Sequence, residues 1–383
     1  MTVGTVCVSG GVMRSCMNYG GRRQIGQSGM KKVYYEWLRC IACFMVIFNH
    51  LKGYRLFMDA SGIKQICYII LSVLTKINVP VFFMVSGALL LEKQEDFRIV
   101  FKKRISRIGL VILLFEAGIY TECMLYARAQ GTPFVFTMKR FFYGMLSGNL
   151  EETGAYWYLY AYLGFLFMLP FLRKIARQMS RQDFYILFAL HFVLMSLLPI
   201  LNLYLRITGG EEIALAKWFS VSLASYSPFF YPLAGYYLDH RVDIRLLSRK
   251  RWTALIAAVF MGLLLSCLCI LGEEAAGENY LTLFDYLFAA TAFLFIKYTV
   301  TVRFPALSAG KCARGVCFAG SLTFGIYLLD HYFKLVLYQP YETFMNNRMP
   351  SLFISFGWCV VSMVLGGMVT WILKRVPGLK KLL

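Results

Sequence analysis

A chain of 383 residues in which 59% of positions are hydrophobic and only 16% charged is no ordinary soluble domain, where about a quarter of residues carry charge. The formal net charge of +20 invites a nucleic-acid reading. The basic residues, however, sit in short loops between apolar runs, as membrane topology demands, and form no basic face with interleaved aromatics. Composition thus excludes a water-soluble enzyme and a nucleic-acid partner. It points to a lipid bilayer and to an all-α fold, because in lipid each backbone polar group must be satisfied within its own helix.

Residues 1–29 are Gly-rich, polar and aperiodic, and read as a disordered leader or an over-extended reading frame, since Met30-Lys31-Lys32 ahead of an apolar run resembles a natural start. Residues 30–383 then read as one transmembrane domain. Apolar runs fall near 34–51, 65–91, 105–127, 155–172, 184–205, 217–238, 252–271, 280–300, 314–337 and 351–373. Each approaches the ~20 residues a helix needs to cross the hydrocarbon core, so the expected architecture is a polytopic bundle of about ten transmembrane helices. The run 65–91 holds Lys76, Asn78 and Pro80 and should break near its middle. The segment 134–147, aromatic with a Lys-Arg pair, fits an interfacial amphipathic helix.

Charge placement sets the expected orientation. Twenty-eight Lys and Arg residues fall in one set of alternating segments, ten in the other, and Arg39 and Lys76 lie within spans. The positive-inside rule then puts both termini in the cytoplasm of a multi-pass plasma-membrane protein. Most of the eleven cysteines stand in apolar runs, where cysteine packs as a small apolar side chain. Cys40 and Cys43 have a redox or metal spacing but no further ligand at zinc spacing, so no metal is expected.

Ionisable residues within spans are costly and are functional candidates by default. Arg39 and His50 lie eleven positions apart. At ~100° per residue they share one helix face, separated by a rise of ~16 Å. One face would thus carry a fixed cation at one depth and a titratable imidazole at another. The same spacing also fits a snorkelling Arg and an interfacial His. Glu116 lies in the third run as a candidate counter-ion of Arg39 or Lys76, and Asp285 lies near the outer end of the eighth. His191 reads as a packed side chain and His240 as a solvated loop residue.

The Arg39-x10-His50 arrangement resembles the membrane-bound acyltransferase-3 family, which O-acylates sugars and envelope polymers. Four further segments support the resemblance in order along the chain. Asn78-Val-Pro-Val-Phe-Phe-Met-Val-Ser-Gly87 is similar to the family's Pro-x-Phe-Phe-x-x-Ser-Gly signature. Arg104-Ile-Ser-Arg107 matches its Arg-x-x-Arg, Tyr156-Trp-Tyr-Leu159 its aromatic stretch, and Phe324-Gly-Ile-Tyr-Leu-Leu-Asp-His331 its terminal His segment. Two departures stand out: Asp330 occupies a position more often apolar, and Thr323-Phe324 replaces Ser-Tyr.

The resemblance implies an O-acyltransferase with acyl-coenzyme A, expected to be acetyl-coenzyme A, as co-substrate and no permanently bound cofactor. The acceptor would be a hydroxyl of an extracytoplasmic carbohydrate or cell-envelope polymer, reaching the bundle directly. His50 would serve as base with Arg39 beside the reacting groups, and Asn49 or the Asp330/His331 pair would orient it. Arg104, Arg107 and Arg39 would hold the donor's phosphates, for which guanidinium groups are suited. Trp157, Asp330, His331 and Asp285 are the candidate acceptor-binding residues. Ser86 remains open as a covalent nucleophile. The rival reading is a transporter or exporter of a polysaccharide unit or small solute that uses the same charged cavity without chemistry.

Overall fold

The computed structural model describes residues 32–50, 61–133, 137–147, 156–272, 280–347 and 352–383. The expected leader, 1–29, lies outside the described residues. Among them there is no strand, and the chain is a bundle of helices. In chain order they are α1 (Val33–His50), α2 (Ile63–Thr75), α3 (Asn78–Leu90), α4 (Phe97–Ala129) and α5 (Met138–Ser147). Next come α6 (Trp157–Gln178), α7 (Arg181–Ile207), α8 (Ser227–His240) and α9 (Arg249–Gly272). The last four are α10 (Asp285–Arg303), α11 (Gly310–Asn347), α12 (Leu352–Leu373) and α13 (Pro377–Leu382).

Eight segments among the described residues are long and apolar enough to cross a bilayer, with α2 and α3 acting as the two halves of one of them. This is a polytopic helical membrane protein. Two of the ten expected spans take a different form. Helix α1 is long enough but carries Glu36, Arg39, Asn49 and His50, and it is wrapped by α3, α11 and α12. Helix α8 has only 14 residues, about 21 Å at 1.5 Å per residue, short of the ~30 Å hydrocarbon thickness.

That shortness has a local cause. Pro228 sits in the first turn of α8, and the chain before it leaves helical geometry at Tyr226, which is extended. Similar interruptions occur at Lys76–Ile77, between α2 and α3, and at Phe284, just ahead of α10. Irregular backbone at membrane depth is tolerated only where protein or a cavity covers it. These three breaks converge on one cavity. Helix α4 adds a fourth irregularity, since its opening turn widens into a π-helical stretch at Phe101–Ile105.

Helix α3 is pressed directly against α8. A Cβ on Gly87 would fall 2.0 Å from the carbonyl oxygen of Pro232, and one on Gly235 would fall 2.0 Å from that of Met84. Only glycine permits this approach. The contact fixes the depth of α3 relative to α8 and hence the position of the break at Lys76.

A candidate active site within the bundle

The breaks open a cavity of about 800 Å³ whose walls include Arg39, Asn49, His50, Lys76, Arg104, Arg107, Trp157 and Asp285. Six of the sequence-predicted residues, Arg39, His50, Arg104, Arg107, Trp157 and Asp285, from four helices, therefore share one space. Asp330 and His331 are not on its wall. Successive helical residues diverge by ~100°, so the two cannot act as one unit. Asp330 is buried and its carboxylate meets Nδ1 of His50, whereas His331 points along a different direction of α11.

The His50–Asp330 contact defines the chemistry at this end. Nδ1 of the ring faces a carboxylate, which can only accept, so Nδ1 carries the proton and Nε2 is left as the basic nitrogen. Beside it, Asn49 ties α1 to the end of α2. The Asn49 side-chain amide donates to the Thr75 carbonyl at 3.1 Å, and the Thr75 hydroxyl donates back to Asn49 Oδ1 at 2.9 Å. Lys76 follows Thr75 directly, lines the cavity, and has no carboxylate partner among the described residues. Sequence reasoning singled Lys76 out only as a breaker and a charge. Its meaning depends on the α2–α3 break bringing it to the wall.

The opposite end is basic. Arg39 donates from Nη1 to both oxygens of Glu36 at 3.2 and 3.3 Å. Glu36 itself rests against Gly320, where a Cβ would fall 2.2 Å from its Oε2. The counter-ion of Arg39 is therefore Glu36, one helical turn away, and not Glu116. The i,i+3 spacing was the available signal. Glu116 instead accepts from the Tyr160 hydroxyl at 2.6 Å. Arg104, in the π-helical turn, donates to both Glu95 oxygens at 3.0 and 3.2 Å, and Arg173 shares the same carboxylate at 3.0 Å. Burial alone would raise the Glu95 pKa, but the hydrogen bonds from Arg104 and Arg173 outweigh it and hold the carboxyl below its ordinary range. Arg107 donates through Nε to the Leu382 carbonyl at 2.9 Å and lies over the Phe324 ring at 5.4 Å. Three guanidinium groups thus face one end of the cavity. Lys102 and Lys103, grouped with them in sequence, are exposed and do not line it.

Between the two ends runs an aromatic wall. Tyr158 stacks on Tyr162 with ring centroids 5.9 Å apart and meets Tyr327 edge-on at 5.8 Å. Of the Tyr156–Leu159 segment, Trp157 and Tyr158 reach the cavity, while Tyr156 is buried and donates its hydroxyl to the Leu328 carbonyl at 2.8 Å. Ser86 also reaches the cavity but has no hydrogen-bonded base among the described residues, which leaves it without the activation a serine nucleophile requires. His240 is not a free loop residue, since its Nε2 lies 2.9 Å from the Ala88 carbonyl.

A cavity with a base-bearing end and a guanidinium-bearing end, inside a helical membrane protein, is chemically suited to group transfer. The comparison with known families makes this specific. Residues 32–372 match the family described as an acyltransferase domain, and the chain belongs to that family of membrane-bound acyltransferases. A Bacillus subtilis (strain 168) protein with the provisional name membrane-bound acyltransferase YfiQ is 21% identical over 347 residues, covering 88% of this chain and 90% of that protein. No solved structure matches the chain at a significant level. The protein is an acyltransferase, and the transporter reading falls away.

Proposed function

We propose that the enzyme moves an acyl group, acetyl foremost, from cytoplasmic acyl-coenzyme A to a hydroxyl of an extracytoplasmic carbohydrate or envelope polymer. It would do so as a plasma-membrane protein with both termini in the cytoplasm. The observation that carries this reading is that one cavity is lined both by His50, which Asp330 backs from behind the wall, and by Arg39, Arg104 and Arg107. The 28-to-10 division of basic residues supports the sidedness. On this reading the guanidinium end faces the cytoplasm and the His50 end the outer surface.

In this mechanism the phosphates of the donor bind at the guanidinium end, where planar donor forks suit them. The pantetheine arm passes the tyrosines, and the thioester stops near His50. Nε2 of His50 takes the proton from the acceptor hydroxyl as its oxygen attacks the thioester carbonyl. Asp330 holds the ring and stabilises the imidazolium that forms. Lys76 faces the negative charge that develops on the carbonyl oxygen, the usual site of the largest single stabilisation. Collapse breaks the carbon–sulfur bond, and His50 returns its proton to the sulfur. No covalent acyl-enzyme is needed.

The test is acetyl-coenzyme A consumption by purified, detergent-solubilised protein, comparing wild type with His50→Ala and Arg104→Ala. Loss of turnover in the first and weakened donor binding in the second are expected. A wild type that neither binds nor consumes any acyl-coenzyme A would refute the donor assignment.

A further inference from the structure

His191, on α7, is a side chain the transfer mechanism leaves unused. It is 2% exposed, yet it lines the same cavity, beside Asp285, Tyr231, Thr282 and Ser227. Its ring is held firmly. Nδ1 lies 2.5 Å from the carbonyl of Ala224, in the single helical turn Ser222–Ser225 ahead of α8. One face stacks on Phe230 with centroids 3.6 Å apart and an interplanar angle of 4°. Tyr286 packs edge-on at 4.7 Å. A carbonyl only accepts, so Nδ1 is the protonated nitrogen and Nε2 carries a lone pair. Nε2 is buried and has no hydrogen-bond partner.

A packed core histidine would have both nitrogens satisfied, because an orphaned buried acceptor costs free energy. The surroundings show what would satisfy this one. The Tyr231 ring lies 6.1 Å from the imidazole and donates its hydroxyl at 2.6 Å to the Asp285 carboxylate, which shares the wall. That bond uses the one proton Tyr231 has to give. This part of the cavity therefore holds two acceptors, an imidazole lone pair and a carboxylate, framed by aromatic rings, beside the Ser227 and Thr282 hydroxyls, which can donate or accept. It contrasts with the guanidinium end, where Arg39, Arg104 and Arg107 supply donors.

We infer that His191, with Asp285 and Tyr231, forms a hydroxyl-binding subsite for the sugar acceptor. It takes hydrogen bonds from one or two hydroxyls of a ring while another hydroxyl is presented to His50. His191 is then a specificity-determining residue: by fixing the ring's orientation it selects which hydroxyl is acylated. This rests on the carbohydrate-acceptor reading above and adds to it the place where the ring is gripped.

The test uses the full chain in detergent, acetyl-coenzyme A, and methyl glycosides of glucose, galactose and N-acetylglucosamine as probes. Wild type, His191→Phe and His191→Gln are compared by initial rate. Phe keeps the ring stack and removes the acceptor, whereas Gln restores an acceptor oxygen. The expected result for His191→Phe is an acceptor KM raised at least tenfold with the donor KM within twofold, and a changed distribution of acetylated positions. His191→Gln should recover most of the acceptor KM. If His191→Phe elutes as aggregate on size exclusion, His191→Leu against His191→Gln makes the same comparison. An unchanged acceptor KM, equal shifts in donor and acceptor KM, or a Gln variant no better than Phe or Leu would overturn the subsite alone. A wild type that consumes acetyl-coenzyme A but acetylates none of the glycosides would overturn the carbohydrate reading and the subsite with it.

Discussion

Asp330→Asn is the sharpest perturbation of the proposed chemistry. Asp330 is 5% exposed and its carboxylate faces Nδ1 of His50, so the nearly isosteric amide should leave the packing of α11 intact. Two effects follow. The charge-assisted hydrogen bond, worth about 1.5–3 kcal/mol, is lost when the imidazolium forms. The Asn amide can also donate to Nδ1, which moves the ring proton to Nε2 and blocks the base. Together they amount to roughly 3–5 kcal/mol, or about 10²- to 10⁴-fold in kcat at 1.36 kcal/mol per decade. The guanidinium end is untouched, so the donor KM should stay within about threefold. Acetyl-coenzyme A-dependent thiol release reads the rate, and thermal unfolding in detergent confirms that the variant is folded. A kcat within threefold of wild type, or a loss confined to donor KM, would refute the assignment of Asp330 as the residue that positions the base.

Three further outcomes are expected. Arg104→Ala should raise the donor KM about tenfold or more, from the loss of charge-assisted bonds worth about 1.5–3 kcal/mol; Arg104→Lys should recover only part of it, because an ammonium lacks the planar fork. Gly87→Ala must push Pro232 of α8 away from a carbonyl contact of 2.0 Å to about 3.5 Å, and should cost about 1–3 kcal/mol, read as a lower unfolding temperature. The Glu95 carboxyl, held low by Arg104 and Arg173 against the opposing effect of burial, contributes stability in full above the ordinary Glu value of about 4.3. That contribution shrinks below this pH and disappears once pH falls through the depressed folded value. The unfolding temperatures of wild type and Glu95→Gln should therefore differ by a constant amount at pH 6–8 and converge in strong acid. A gap that widens in acid would refute the linkage.

Much of this was legible because the bilayer simplifies the code. Hydropathy alone locates the long helices, and the Pro80, Asn78 and Lys76 cluster correctly marks the break between α2 and α3. The shared face of Arg39 and His50 is a matter of helical period, and both do meet the cavity. The failures have one physical origin: sequence does not reveal which polar groups a break brings together. Glu116 looked like the partner of Arg39, yet Glu36 lies one turn away on the same helix and took that role. Asp330 and His331 looked like a unit, yet helical rotation sends only Asp330 to His50. His191 is packed as the sequence suggests, 2% exposed and stacked on Phe230, but its partner, the Ala224 carbonyl, lies 33 residues further on, where no sequence pattern pairs the two.

The three breaks explain how chemistry fits inside a bundle of mostly apolar helices. A continuous helix satisfies its own backbone and offers a membrane cavity only side chains. Where α2 ends, where α8 starts late and where α10 begins at Asp285, the chain brings polar groups to mid-bundle without placing them against lipid. Lys76, Ser227, Thr282 and Asp285 all come from these interruptions, and α1 supplies Arg39 and His50 from a helix that neighbours wrap. The close contact of Gly87 with Pro232 then has a consequence beyond packing. It sets the depth at which α2 breaks, and so the distance between Lys76 and His50. A shift of about 1.5 Å there should reduce turnover far more than it reduces folded yield, because catalytic geometry tolerates misplacement of even about 1 Å poorly. A Gly87→Ala protein that stays folded yet loses at most twofold in kcat would show that the α3–α8 contact serves stability alone.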